Sequence, residues 1–154
     1  MKELPHRYLT TLTLTVDFRS IASIGSTPHG LRGIAPITAG RFEGPLLNGR
    51  VLSGSDWFIN RADGNLAIDV RLTLETHDNA LIYLSYKGRM TADADAMARF
   101  RRGERLDEDE YSLSVVANFE CGDERYRWLN DAIAVAVGEQ TPDGPVYTIY
   151  EVNG

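Results

Sequence analysis

The chain has 154 residues, of which 43% are hydrophobic and 25% are charged, a size and composition typical of one folded domain, here residues 1–154. Its net charge of −6 argues against nucleic acid as a partner, because binding to phosphates requires a basic surface. Cys121 is the only cysteine, so no internal disulfide can form, and no apolar run is long enough to span a membrane. With no secretory signal pattern at its start, we expect a cytoplasmic protein.

Alternating apolar and polar residues predict β-strands along most of the chain. In the run 8–18, leucine and threonine alternate, and the run 66–76 repeats the pattern, as half-buried strands do. The sequences Asp63-Gly64 and Pro142-Asp143-Gly144 indicate tight turns between strands. The predicted strands are 8–18, 34–42, 46–53, 56–61, 66–76, 80–89, 111–121, 132–138 and 146–152.

One segment departs from this pattern. Residues 92–102 are rich in Ala, Met and Arg, and Gly103 stands where a helix would end, which predicts one short helix. A second short helical turn is predicted around 126–130. Many antiparallel hairpins with one helix indicate an all-β barrel or sandwich. We predict an antiparallel barrel of about eight to nine strands around a small pocket, because closure removes exposed strand edges.

The segment Gly40–Val51 reads GRFEGPLLNGRV and resembles the signature of the mostly bacterial domain of unknown function 3237 family. The resemblance extends from Thr27–Gly30 through Asp56-Trp57 and Asp69–Arg71 to Tyr126–Asn130. It implies a barrel of the allene-oxide-cyclase or lipocalin-like kind, a group that includes cofactor-free cyclases and plain ligand binders. The chain departs from the family pattern at Ala39, at Leu72, and at Ser114-Val115, where the pattern has Arg-Thr. The last departure suggests a more apolar ligand.

Several side chains are candidates for proton transfer. Asp69 and Arg71 lie two residues apart and share one strand face, which is either inward as a buried functional pair or outward as ordinary surface. Because the resemblance includes them, we predict that they face the interior. Asp56 and Glu43 are possible general bases, although either could instead cap a turn. His29 lies in a Gly-rich loop predicted to cover the barrel mouth, and histidine titrates near neutral pH.

A second group of residues is predicted to bind the ligand. The planar guanidinium of Arg32 suits a carboxylate or enolate, and Trp57 could stack on a flat ligand. Ser114 is included because it stands where the family pattern has arginine. Tyr83 and Tyr86 fall on opposite faces of their strand, so one of them can face the interior; we assign that role to Tyr86.

The tyrosines at 147 and 150 form a similar pair on the last strand, and one of them is expected inside. Taken together, the candidates favour a cofactor-independent enzyme of isomerase, cyclase or lyase type acting on a small apolar or aromatic carbonyl or carboxylate compound. A non-catalytic carrier or sensor with the same pocket is the alternative.

The three histidines are scattered and nucleotide motifs are absent, so we predict no metal and no cofactor. The run 80–86 is apolar on both faces, which predicts a homodimer or higher homo-oligomer.

Overall fold

The computed structural model describes residues 1–153, and their dominant feature is one antiparallel sheet of ten strands. Long alternating runs form its strands, as the pattern predicts. The strands are β1 (His6–Val16), β2 (Ala22–Thr27), β3 (Gly30–Glu43), β4 (Gly49–Asp56), β5 (Ile59–Asn60), β6 (Leu66–Thr76), β7 (Leu81–Ala92), β8 (Tyr111–Glu120), β9 (Ile133–Thr141) and β10 (Gly144–Val152).

The sheet closes into a barrel. Neighbouring strands follow the order β1, β10, β9, β8, β7, β6, β4, β3, and β1 also pairs with β3, for example Leu12 with Phe42. All strands except β2 and β5 belong to this ring, and every pairing is antiparallel. The predicted antiparallel barrel of eight to nine strands is therefore confirmed. The predicted loop before residue 34 is wrong, because β2 forms a hairpin with β3 there.

The predicted helix is α1 (Ala94–Arg101). The Asp93 carboxylate caps its first turn by accepting a backbone N–H, and Met97 is buried against the barrel core. Arg101 donates a hydrogen bond to the Gly64 carbonyl in the turn before β6. The helix therefore lies at the end of the barrel where β4 and β7 finish, which we call the mouth.

A 3₁₀ segment, Glu124–Asp131, lies at the opposite end, the base, and matches the predicted helical turn. Its Leu129 is fully buried, and the Tyr126 hydroxyl donates to the Asp78 carboxylate at 2.7 Å in the turn between β6 and β7. Two shorter 3₁₀ turns occupy Phe18–Ser20 and Glu108–Glu110. Within residues 1–153, none of the helical segments has the length and apolar character required to cross a membrane.

The barrel interior is filled by side chains. Ala134 and Ala136 face inward and are at most 3% exposed, so the alternating alanines of β9 allow close packing instead of bordering a wide cavity. A depression of about 660 Å³ lies at the mouth between the segment before β8 and the turn from β9 to β10, and one of about 530 Å³ lies on the outer wall. The prediction of a preformed pocket inside the barrel is thus not matched by this conformation, and a ligand would have to displace side chains at the mouth.

Candidate functional site

Asp56 ends β4 at the mouth, and its side chain lies on the inner face of the barrel. It pairs with Ala35 on β3 and with Val70 on β6, which are 5% and 1% exposed. Directly paired residues in an antiparallel sheet point to the same face, so Asp56 points inward with them. Its Oδ1 accepts the backbone N–H of Asp69 at 3.1 Å, where the ladder between β4 and β6 ends.

The environment of Asp56 changes its protonation. The pKa of its carboxyl is raised to about 7, mainly by burial and to a smaller extent by the nearby charge of Asp69. The Asp69 N–H and the charge of Arg32 act in the opposite direction and only partly offset the burial. The side chain nevertheless keeps some exposure at the mouth. A carboxyl of this kind can both accept and release a proton near neutral pH.

Two buried tyrosines lie beside this carboxyl. Tyr86 pairs with Val70, one strand beyond Asp56, and its ring centroid is 5.0 Å from that of Tyr147. Both residues are 2% exposed. Burial raises the pKa of Tyr86 well above its ordinary value of 10.0, and the neighbouring Tyr147 and Asp56 contribute to this rise. Burial and the charge of Asp56 also raise the pKa of Tyr147. Both phenols therefore stay protonated and can donate hydrogen bonds.

Phe58 lies over the inner face of β3 at the mouth. A β-carbon on Gly33 would be 2.8 Å from both Cε atoms of the Phe58 ring and would overlap its Cζ. Gly33 is buried two residues before Ala35, on the same inward face. The backbone N–H of Gly33 also donates to the Phe58 carbonyl at 3.1 Å. Phe58 thus covers the inner face of β3 at Gly33, two residues from the Ala35 that pairs with Asp56.

Arg32 fixes the backbone of the same segment. One of its guanidinium nitrogens, Nη1, donates to the Trp57 carbonyl at 2.5 Å, and the side chain is partly buried. This places Arg32 near the mouth, as the sequence predicts, but its side chain lies on the outer face of β3, because the adjacent Gly33 faces inward. Trp57 itself points outward, because the Arg71 guanidinium lies 5.5 Å from its ring centroid on the outer surface.

The prediction that Asp69 and Arg71 face the interior is wrong. On β6 the inward side chains are Ile68, Val70 and Leu72, each at most 5% exposed, so strict alternation places Asp69 and Arg71 outside. Asp69 forms a 3.8 Å ion pair with Lys87, and its side chain is 32% exposed.

Three further candidates also lie outside. Glu43 is 70% exposed and pairs with Arg41 at 3.5 Å, so it is not a buried base. His29 is exposed at the tip of the hairpin between β2 and β3, where its backbone N–H donates to Thr27. Ser114 is exposed on the outer face of β8 because its neighbours Leu113 and Val115 face inward.

Of the predicted site residues, the structure brings together Asp56 and Tyr86 inside the barrel, whereas Arg32 lies on the outer face of β3 and acts on Asp56 only through its charge. Tyr147 is the inward member of its predicted pair. Phe58 is a residue that the sequence reasoning missed. No clear signal in the sequence indicates it, because residues 57 and 58 lie between β4 and β5 and strand alternation does not apply to them. Within residues 1–153 no group of three or more His, Cys, Asp or Glu side chains could hold a metal ion.

Comparisons with known proteins agree with this architecture. A family model described as "Protein of unknown function (DUF3237)" matches residues 7–152. A UPF0311 protein of Bradyrhizobium diazoefficiens is 30% identical over 141 residues, which are 91% of this chain and 92% of the relative. A beta-barrel like protein from Acinetobacter baumannii AYE is 32% identical, with a TM-score of 0.85 over 99% of this chain and 98% of the other.

Two further solved structures share the fold. A conserved protein of unknown function from Rhodopseudomonas palustris is 25% identical, with a TM-score of 0.90 over 99% of each chain. An enzyme from Penicillium herquei is 17% identical, with a TM-score of 0.75 over 99% of this chain and 97% of the other. At that identity the likeness to the Penicillium enzyme extends to the fold alone.

Proposed function

The chain belongs to the DUF3237 family of proteins of unknown function, and within this barrel we propose that it is a cofactor-independent enzyme that moves a proton on a small carbonyl or carboxylate compound. The observation that carries the proposal is the inward carboxyl of Asp56, with a pKa of about 7, next to two protonated buried tyrosines. Perturbed titratable groups that meet at the mouth of a barrel are typical of active sites.

In the proposed reaction, the Asp56 carboxylate takes a proton from the carbon next to the substrate carbonyl. The electron pair of the broken C–H bond moves onto the carbonyl oxygen, which becomes an enolate. In this proposal the phenol O–H of Tyr86 or Tyr147 donates to that oxygen as its charge develops. The positive charge of the Arg32 guanidinium near the mouth also stabilises the negative charge that develops on this oxygen.

The second half of the reaction determines its class. If Asp56 returns the proton at another carbon, the net result is an isomerisation. If the enolate expels a leaving group, the result is a lyase reaction, and if it attacks within the same molecule, a ring closes. Each route uses one carboxyl group as base and then as acid, so none of them requires a cofactor or metal.

The inner surface supports an apolar or aromatic substrate. Apart from Asp56 and the two tyrosines, the side chains around the site, such as Ala35, Val70 and Phe58, are apolar. This lining equally suits a second candidate function, a non-catalytic carrier or sensor of an apolar compound. In that function, Asp56 would hold the ligand by a hydrogen bond without abstracting a proton.

Solvent deuterium exchange tests the proposal directly. A panel of aromatic and aliphatic ketones, enones and keto acids is incubated with the protein in D₂O, and deuterium incorporation next to the carbonyl is followed by NMR. We expect exchange whose rate rises with an inflection near pH 7 and falls at least 100-fold in Asp56→Asn. Glu43→Gln, which removes a carboxylate that is 70% exposed on the outside of the barrel, is the matched control and should retain the rate.

Equal exchange in wild type and Asp56→Asn would contradict the proposed base. Tight binding of a panel compound without exchange in any protein would instead support the carrier function. Tyr86→Phe separates the roles further, since loss of an oxyanion donor should lower kcat more than it changes KM.

A further inference from the structure

The segment between β4 and β5 interrupts the sheet at a single peptide group. The register of β3 is the same at Asp56 and at Ile59, and so is the register of β6. A strand that ran straight through residues 57 and 58 would therefore form four ladder bonds. Two of them are present, because the Trp57 N–H donates to the Asp69 carbonyl at 2.8 Å and the Phe58 carbonyl accepts from a β3 N–H at 3.1 Å.

The other two bonds would both use the peptide group that joins Trp57 to Phe58, and both are missing. The Asp69 N–H, which would donate to the Trp57 carbonyl, donates to the Asp56 carboxyl oxygen at 3.1 Å instead. The Phe58 N–H would donate to the Gly33 carbonyl, but within residues 1–153 no hydrogen bond from this N–H is found. This one peptide group is therefore rotated out of the sheet plane, while the groups on either side of it keep their bonds.

Two arginines on the outer face hold Trp57 in this arrangement. The Arg32 Nη1 donates to the Trp57 carbonyl at 2.5 Å, and the Arg32 side chain lies on the outer face of β3. The Arg71 guanidinium lies 5.5 Å from the centroid of the Trp57 ring. A trans peptide group holds its carbonyl and its N–H on opposite sides. Because the Trp57 carbonyl turns outward to Arg32, the Phe58 N–H turns toward the barrel interior.

We propose that the Phe58 backbone N–H donates a hydrogen bond to the carbonyl or carboxylate oxygen of the substrate, and that Arg32 is the positioning residue that holds this N–H inward. The Phe58 nitrogen is two residues from Asp56 and within about 6 Å of its Cα, so one small compound can reach both groups. The oxygen of the compound accepts the N–H while the neighbouring carbon faces the Asp56 carboxyl. A backbone N–H aimed at a developing oxyanion is a common means of stabilising it.

The free donor also restricts the chemistry of the ligand. Folded proteins seldom leave an inward backbone N–H without an acceptor, because the unpaired group costs free energy. The N–H selects an oxygen acceptor, and the Phe58 ring over Gly33 offers an apolar surface to the rest of the compound. The catalytic part of this inference rests on the proposed function, whereas the binding part applies equally to a carrier.

The first test replaces the Phe58 amide by an ester. Phenyllactic acid incorporated at position 58 of the full chain keeps the side chain and exchanges the N–H for an oxygen atom. With a ketone that the wild type deuterates, kcat should fall about 100-fold with little change in KM. The matched control is the corresponding hydroxy acid at Tyr83, which removes an N–H of β7 near the base and should keep the wild-type kcat. An ester at position 58 that keeps the wild-type kcat overturns the proposal.

The second test requires no turnover. Protein labelled with ¹⁵N-phenylalanine is titrated with the ketones and keto acids used for deuterium exchange, and the Phe58 amide proton should move downfield when a ligand oxygen accepts it. Arg32→Met should abolish this shift, because the released Trp57 carbonyl can return to the Asp69 N–H. Arg32→Lys keeps a donor for the Trp57 carbonyl and should restore part of the shift.

The two tests separate this inference from the proposed function. A Phe58 amide that moves on ligand binding, without deuterium exchange of any compound, supports the donor and refutes only the role of Asp56 as a base. A Phe58 amide that moves with none of the compounds overturns this inference, even where Asp56-dependent exchange is observed.

Discussion

Replacing Asp56 by asparagine should make the folded protein more stable at alkaline pH. Folding raises the pKa of Asp56 from 3.8 to about 7, so the folded state holds its proton more tightly than the unfolded chain. The stability that this proton confers is fully present below about pH 4 and is lost as pH rises to about 7. About three pKa units correspond to about 4 kcal/mol, and partial exposure at the mouth reduces the expected effect to about 2 kcal/mol.

Asp56→Asn removes the titration while its side-chain oxygen can still accept the Asp69 N–H. Urea unfolding followed by tryptophan fluorescence should show equal stability of variant and wild type near pH 4. At pH 8 the free energy of unfolding should favour the variant by about 2 kcal/mol. Asp69→Asn, on the outer face, should change stability by less than about 1 kcal/mol at both pH values. A difference between wild type and Asp56→Asn that does not vary with pH would refute the burial of this carboxyl.

Two further predictions concern packing at the two ends of the barrel. Gly33→Ala should lower the free energy of unfolding by about 1–3 kcal/mol because the new methyl group overlaps the Phe58 ring. The loss should shrink when the same change is made in a Phe58→Ala background, and additive losses would show that the two residues are not in contact. Tyr126→Phe should cost about 1 kcal/mol by removing the hydrogen bond to Asp78 at the base. Urea denaturation measures this loss, with Tyr83→Phe, an exposed tyrosine on β7, expected to be neutral.

The sequence predicts the barrel well because its strands alternate cleanly. In β6 an aliphatic face alternates with a polar face, which indicates both the strand and its orientation. In β9 alanine alternates with valine and isoleucine, which indicates a strand but not which face is buried. β2 has no such pattern. Its residues Ala22–Thr27 are mostly small, and only Ile24 is a large aliphatic, so composition alone favours a loop. That segment becomes a strand through its pairing with β3, which local sequence does not encode.

The candidate site was harder to predict, for reasons that differ between two aspartates. For Asp69 the alternation of β6 indicates an outward side chain, and the inward position that the family resemblance favours is wrong. For Asp56 the pattern is ambiguous, because β4 contains glycine and serines and has a register shift between Val51 and Ser53. A bulge exchanges the faces of all later residues, so only the paired structure shows that Asp56 points inward.

The position of β1 affects how this chain folds. β1 lies between β3 and β10, so one of its neighbours is available after about forty residues and the other only at the far end of the chain. The ladder that joins His6 to Val152 can form only when the residues up to Val152 have left the ribosome. Until then one edge of β1 stays open, and a late contact of such long sequence separation slows folding. Newly made chains should therefore depend on rapid final closure, or on chaperones, to avoid pairing between unfinished barrels.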